Sequence, residues 1–359
     1  MRTFILFFSL NFLCTSLWSQ LQPGFDKEEY IEMLVLASRQ GDSTWWKGMP
    51  EPKRFERIYR SRELGLKNRW DLWCSQEDNI AVISLRGTTA DGDSWLENFY
   101  SGMVPATGEI AISNQEKFAY KLADDTRAAV HGGWLIGMCH LAADILPKVD
   151  SSYRAGVRNF MVTGHSQGGA LSYLLTAYLH HAIKDGKLPS DIKVKTYCSA
   201  APKPGNLYFA HDYDYMTRAG WAFNVINTAD WVTETPMTVQ SLEDLNTTNP
   251  FKDVDVALRN QGAITRSVIK RIYNKMKNGL EDARDEFIKY LGERAGDEVE
   301  KKLPYYQREE YEKSFYYTRA GHIITLLPDE EYYKQWPDNA SMVFTHHLLQ
   351  PYLYLVMKW

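Results

Sequence analysis

Cysteine is scarce in this chain, and the few present follow no pattern. Four occur among 359 residues. Cys14 falls in the amino-terminal segment, while Cys74, Cys139 and Cys198 lie far apart and are odd in number. That spacing fits neither a disulfide framework nor a zinc site, so buried free thiols are the expectation. Excess positive charge is lacking too. Lys and Arg number 41 against 45 Asp and Glu, a net charge of −4 that offers no electrostatic basis for nucleic-acid binding. No internal repeat or low-complexity tract is present, which excludes solenoids and fibrous chains. Beyond the first twenty residues no apolar run reaches the ~20 residues that cross a bilayer, so a soluble mature protein is expected. Hydrophobic residues at 44% and charged residues at 24% exclude a disordered class.

What is present begins with a leader. Arg2 supplies a positive start, and an apolar run from Thr3 to Trp18, interrupted by Ser9, Asn11, Thr15 and Ser16, precedes Ser19-Gln20. The pattern predicts a signal peptide over 1–19 and export to the periplasm or the medium. Leu17 is larger than a cleavage site prefers, and Leu13 argues against lipidation at Cys14. Residues 20–359 then read as one domain carrying a helical insertion at about 245–310.

Along that domain, Asp26-Lys-Glu-Glu29 caps a helix with Tyr30, Met33, Leu34 and Ala37 on one face. Strand patterns follow at 55–60, 69–73, 80–85, 159–163, 193–200, 222–227 and 320–326. Residues 117–147 read as one or two helices around His131-Gly-Gly-Trp134, and His180 and His181 as surface residues in the last turn of another. Alternation of strands and helices predicts an α/β protein with a largely parallel central sheet. Residues 250–303 differ. Ile264, Val268, Ile272, Met276, Leu280, Ala283, Phe287 and Leu291 recur every three or four positions, which predicts an amphipathic insertion, broken near Gly279. Its basic face (Arg266, Lys270, Arg271, Lys275, Lys277) suits a cap or a membrane-surface helix, but a helix packed on the sheet with a solvated face is the simpler expectation.

The chemistry is concentrated in Asn159-Phe-Met-Val-Thr-Gly-His-Ser-Gln-Gly-Gly-Ala-Leu171. This is G-x-S-x-G between a strand and a helix. A serine on so sharp a turn brings two backbone segments close together, and glycines two positions to either side remove the Cβ atoms that would collide. Ser166 is therefore the candidate nucleophile. A serine hydroxyl needs a base within hydrogen-bond reach and a carboxylate to orient that base. On such elbows the chain order is serine, acid, histidine. Asp230, just past the strand 222–227, is the leading acid, with Asp212, Asp214 and Glu234 as competitors. The order leaves His322, His346 and His347 as bases, and the 346–347 pair opens the last helix. For the oxyanion, the N–H of Gln167 follows the nucleophile, and Arg86-Gly-Thr88 ends the strand 80–85, where Thr88 offers both N–H and hydroxyl.

These segments resemble the class 3 lipases, in order: Ile83-Ser-Leu-Arg-Gly-Thr-Thr89 with Trp95-Leu-Glu-Asn98, Val130-His-Gly-Gly-Trp134, Val162-Thr-Gly-His-Ser-Gln-Gly-Gly-Ala170, Ala200-Ala-Pro-Lys-Pro-Gly-Asn206, Asn227-Thr-Ala-Asp230 and His347-Leu-Leu-Gln-Pro-Tyr352. The resemblance covers 25–236 and 315–355. It implies an α/β-hydrolase fold and hydrolysis of acylglycerol-type carboxylic esters through Ser166, Asp230 and His347, with Thr88 and Gln167 holding the oxyanion. It favours His347 over His346 because a tyrosine follows after four residues. It implies no metal or cofactor, a small-molecule lipid or ester as substrate, and transient contact with a membrane or lipid-droplet surface. A phospholipase, a short-chain esterase or a thioesterase would use the same residues. So would an acyltransferase, whose acceptor outcompetes water. A catalytically silent hydrolase-fold protein that binds lipid or a partner would keep only the scaffold. The insertion makes the separation of Asp230 and His347 longer than the family's.

Overall fold

The computed structural model describes residues 21–41, 47–75, 77–252 and 254–359; the expected leader over 1–19 lies outside them. Seven strands form the central sheet: β1 (Glu56–Arg60), β2 (Trp70–Ser75), β3 (Ile80–Leu85), β4 (Asn159–His165), β5 (Lys193–Ser199), β6 (Ala222–Asn227) and β7 (His322–Leu326). Their order across the sheet is the order along the chain. β1, β2 and β3 pair antiparallel, and every later pair from β3 to β7 is parallel. Each parallel step needs a crossover, and these connections cover the faces of the sheet. β3 and β4 are buried at every position, as strands covered on both faces must be.

Helix α1 (Lys27–Ser38) starts where the Asp26 side chain accepts the Glu29 N–H, and it buries Tyr30, Met33 and Leu34. With α8 (Leu349–Lys358) it covers one face, packing on Val82, Met161 and Val225. The other face carries α3 (Gly132–Arg154) and α4 (Gln167–Lys184). The short helices α2 (Gly92–Phe99) and α5 (Leu207–Met216) flank them.

Two local expectations are corrected. Residues 117–131 hold two strands and the loop between them, not helix. Lys117–Lys121 pairs antiparallel with Thr107–Ala111, burying Phe118 and Tyr120 while Lys117 and Ala119 point to solvent, a period of two. Ala129–His131 pairs with Met103–Pro105 and with Gly205, and α3 starts only at Gly132. His181 is buried rather than on the surface, since α4 is covered along its last turn as well.

The insertion lies between β6 and β7. Helix α6 (Ala263–Phe287) runs without a break through Gly279, then widens into a π-helical turn over Ile288–Arg294 before α7 (Ala295–Lys302). Only its end is anchored. Phe287 stacks on Phe315 at 4.9 Å, and Ile288 and Leu291 pack with Met103, Ala129 and Tyr317. The Gly102 N–H donates to the Leu291 carbonyl, and Lys302 pairs with Asp93. From Ile264 to Leu280 the apolar side chains are exposed, so the expectation of a helix packed on the sheet fails for this stretch.

Candidate active site

The site is built at the carboxyl ends of β3, β4 and β6. Ser166 follows β4 with φ 63° and ψ −131°, a conformation that side-chain-bearing residues adopt only under constraint. The constraint is visible on both flanks. A Cβ on Gly164 would lie 2.2 Å from the Gly168 carbonyl, and one on Gly168 would lie 2.3 Å from the Leu85 carbonyl oxygen. The Ser166 N–H donates to the Ser199 carbonyl at 2.9 Å, tying the turn to β5.

His347 stands over the serine. Its Nε2 lies 2.8 Å from Ser166 Oγ, and its Nδ1 lies 2.7 Å from Asp230 Oδ2. A carboxylate only accepts, so Nδ1 carries the proton and Nε2 is left to accept from the serine hydroxyl. Asp230 is buried just beyond β6. Its Oδ2 also accepts from the Tyr352 hydroxyl at 2.7 Å, and its Oδ1 accepts the Val232 N–H at 3.0 Å. Burial by itself would raise this carboxyl's pKa. The facing His347 and the three hydrogen bonds outweigh it and hold Asp230 below the usual carboxylate range.

The two adjacent histidines, on a 3₁₀ turn over Thr345–His347, separate sharply. His346 turns away, with Nδ1 on the Tyr332 hydroxyl at 2.8 Å and Nε2 on Asp338 at 3.0 Å. The other candidates are not brought to the serine. His322 sits exposed on β7, the edge strand. Asp212 caps the N–H groups of Asp124 and Asp125, and Asp214 accepts the Gly321 N–H. Glu234 ends a 3₁₀ turn after Asp230, and no hydrogen bond joins its side chain to the site among the described residues.

Gln167 is the first residue of α4, so its N–H has no intrahelical acceptor and points with the positive helix end toward the serine. The loop after β3 closes over the same point. A Cβ on Gly87 would lie 2.8 Å from the His165 carbonyl oxygen and 3.5 Å from Ser166 Cβ. Thr88, next in the chain, accepts at Oγ1 from Asn98 Nδ2 at 2.8 Å, which leaves its own O–H to donate. Asn98 is fixed in turn: its Oδ1 takes the Trp134 indole N–H at 2.9 Å, and its carbonyl takes His131 Nε2–H at 3.1 Å. Burial pulls His131 down to about 3, so it is a neutral donor. The motifs at 95–98 and 131–134 thus orient Thr88, a role that spacing alone did not reveal.

A second support was also missed. His165, the residue before the elbow, donates from Nε2 to the His347 carbonyl at 2.7 Å and sits 3.1 Å from Ser199 Oγ through Nδ1. With Nε2 donating, Nδ1 accepts from Ser199, and the Tyr30 hydroxyl, 2.8 Å from Ser199 Oγ, completes the relay from α1. Burial, aided by the nearby His347, pulls His165 down to about 3, so the link stays neutral. Glu97 is buried beside Asn68, whose amide donates to it at 2.6 Å. Burial outweighs that bond and pushes its carboxyl up to about 8.

Around the opening stands an aromatic rim. The Phe344 ring lies 6.0 Å from His347, 5.4 Å from Trp231 and 6.2 Å from Trp95, with Phe99 beyond Trp95 at 6.1 Å. Trp95, Phe99, Trp231, Met342 and Val343 are exposed. The cysteines Cys139 and Cys198 are buried free thiols on α3 and β5, away from this opening.

A parallel sheet with a serine elbow at its centre, an aspartate after a later strand and a histidine near the chain end defines an α/β-hydrolase. More narrowly, residues 82–240, a segment that holds the elbow, Asp230 and Thr88, match the family model described as Lipase (class 3). The secreted mono- and diacylglycerol lipase 1 of Fusarium solani is 31% identical over 140 residues, which are 38% of this chain and 34% of that protein. The chain therefore matches about a third of the length of that relative. Among solved structures, Lip2 lipase of Yarrowia lipolytica aligns with TM-score 0.44 at 18% identity, over 60% of this chain and 77% of that one. A triacylglycerol lipase of Penicillium expansum aligns with TM-score 0.43 at 17% identity, over 59% and 75%.

Proposed function

We propose that this chain is an exported serine hydrolase that cleaves carboxylic esters of acylglycerol-type lipids. The observation that carries the reading is the continuous hydrogen-bonded line from Ser166 through His347 to Asp230; the first helical residue, Gln167, and the Gly87-Thr88 loop that closes on His165 and Ser166 support it. His347 Nε2 takes the Ser166 proton as Oγ bonds to the ester carbonyl carbon. The carbonyl oxygen takes up the negative charge and is held by the Gln167 N–H and by Thr88. The intermediate collapses as His347 returns the proton to the leaving alcohol, which leaves an acyl-serine. Water, deprotonated by the same imidazole, then attacks the acyl carbon and releases the acid. Asp230 stays ionised throughout and stabilises the imidazolium. The aromatic rim supports an acyl chain over a polar group, and the secreted Fusarium relative, a mono- and diacylglycerol lipase, supports both export and lipid esters.

Ser166→Ala is the direct test. Ester turnover should fall by about 10⁴ or more with the melting temperature unchanged, because the hydroxyl makes no bond on which packing depends. Retained turnover would overturn the assignment. Rates on emulsified long-chain esters, soluble short-chain esters and phospholipids then separate lipase from esterase and phospholipase.

A further inference from the structure

Among the described residues, helix α6 is a long element whose apolar face is bare. Over 263–280 it carries Ile264, Val268, Ile269, Ile272, Met276 and Leu280, all exposed, from Ile264 at 84% to Leu280 at 39%. At 3.6 residues per turn these side chains fall on about half of the circumference and run for about 24 Å. The charges are as one-sided as the apolar residues. Arg266, Lys270, Arg271, Lys275 and Lys277 lie in this stretch with no Asp or Glu among residues 263–280, in a chain whose net charge is −4. On the helical wheel, Arg271 and Lys275 border one edge of the apolar arc, and Arg266, Lys270 and Lys277 border the other. Lys270 is paired with Asp255, and Lys277 with Glu281. Arg271 and Lys275 have no ion-pair partner among the described residues.

We infer that α6 docks on an anionic lipid bilayer, its apolar arc sunk among the acyl chains and its basic borders on the headgroups. The sign and place of the charge choose this occupant. Lys and Arg beside an apolar arc bury their stems with it while their charged ends reach phosphates. A second copy fits poorly, because pairing this stretch of two such helices would set ten Lys and Arg side chains along one seam, and only Lys270 and Lys277 of each have a carboxylate beside them. The rooted end of the helix, against Phe315 and beside the strand Met103–Pro105, holds the arm to the body that carries the serine. The inference rests on the lipid-hydrolase reading for its purpose only, because docking needs no turnover.

The test is binding of the full chain, in a Ser166→Ala background that spares the lipid, to phosphatidylcholine vesicles with and without 30% phosphatidylglycerol. Anionic vesicles should bind at least tenfold tighter, and 0.5 M NaCl should erase most of that preference. Arg271→Gln with Lys275→Gln should weaken anionic binding about thirtyfold. Ile272→Asp with Met276→Asp should abolish it while hydrolysis of a soluble short-chain ester, in the Ser166 chain, stays within twofold. Binding unchanged in these variants would overturn the inference, as would a dimer that they dissolve, because a second copy would then cover the face. Loss of soluble-ester turnover in the unsubstituted chain would instead strike the hydrolase reading and leave the vesicle result standing.

Discussion

The elbow and α6 are opposite solutions to placing side chains. At the elbow every group is fixed from several directions: Ser166 by β5, Asp230 by three donors, the His347 carbonyl by His165, and Thr88 by Asn98. Along 263–280 the helix exposes its apolar residues and meets the body only at its end. Precise geometry needs redundant support, whereas a surface-docking face needs only the right amphipathic pattern on a rooted arm.

Substitutions can break that contrast. The largest effect is expected of Asp230→Asn, which removes the acceptor for His347 Nδ1–H and should lower kcat about 10⁴-fold in ester turnover. Next, the same truncation should read differently in the two regions. Leu171→Ala in α4, fully buried, should cost about 2–5 kcal/mol in denaturant unfolding, and Leu280→Ala in α6 less than about 0.5 kcal/mol. Equal costs would show that α6 is packed after all. Tyr352→Phe removes one donor to Asp230 and strands the Asn227 N–H, which also reaches that hydroxyl at 3.1 Å. It should cost about 1–3 kcal/mol and move the acidic limb of the kcat profile to higher pH.

The smallest expected effect is of pH on stability. Burial pulls His131 and His165 down to about 3 and His180 to about 4, whereas an unfolded histidine titrates near 6.5. Between those values the unfolded chain holds protons that the folded chain refuses, so stability is lost as pH falls below about 6.5. Glu97, pushed up to about 8, acts in the opposite sense but is one group against three. Unfolding free energy should drop by roughly 1–2 kcal/mol from pH 7 to pH 5.5. Above pH 8, Glu97→Gln should melt at a higher temperature than the wild type, because only the carboxyl must ionise in a dry site.

The strands and the elbow were legible because their signals are local: runs of Ile, Val and Phe, and glycines whose spacing a sharp turn demands. Asp230 was legible as a loop aspartate after a strand, one of several. His346 and His347 could not be told apart by composition. The resemblance favoured 347, and in the structure the turn over 345–347 points one ring to Ser166 and the other to Asp338. The relay through His165 and the lock on Thr88 were hidden because each joins residues ten or more positions apart, and no periodicity records such a bond. The reading of 117–131 as helix failed on the alternation at Phe118 and Tyr120, which was present but short. Packing was misjudged in α6 for a physical reason: an amphipathic pattern says that a face wants cover, not what supplies it.

The Arg284 guanidinium reaches Ser241 Oγ at 3.5 Å, so the chain leaves and rejoins the body at one spot. Residues 246–283 are therefore a detour whose two ends are already stitched together, with Asp230 encoded before it and His347 after it. Such a stretch can be exchanged for a short hairpin, or for a reporter of similar entry and exit, without re-threading the scaffold. The surface on which the proposed hydrolase works could then be chosen separately from the bond it breaks.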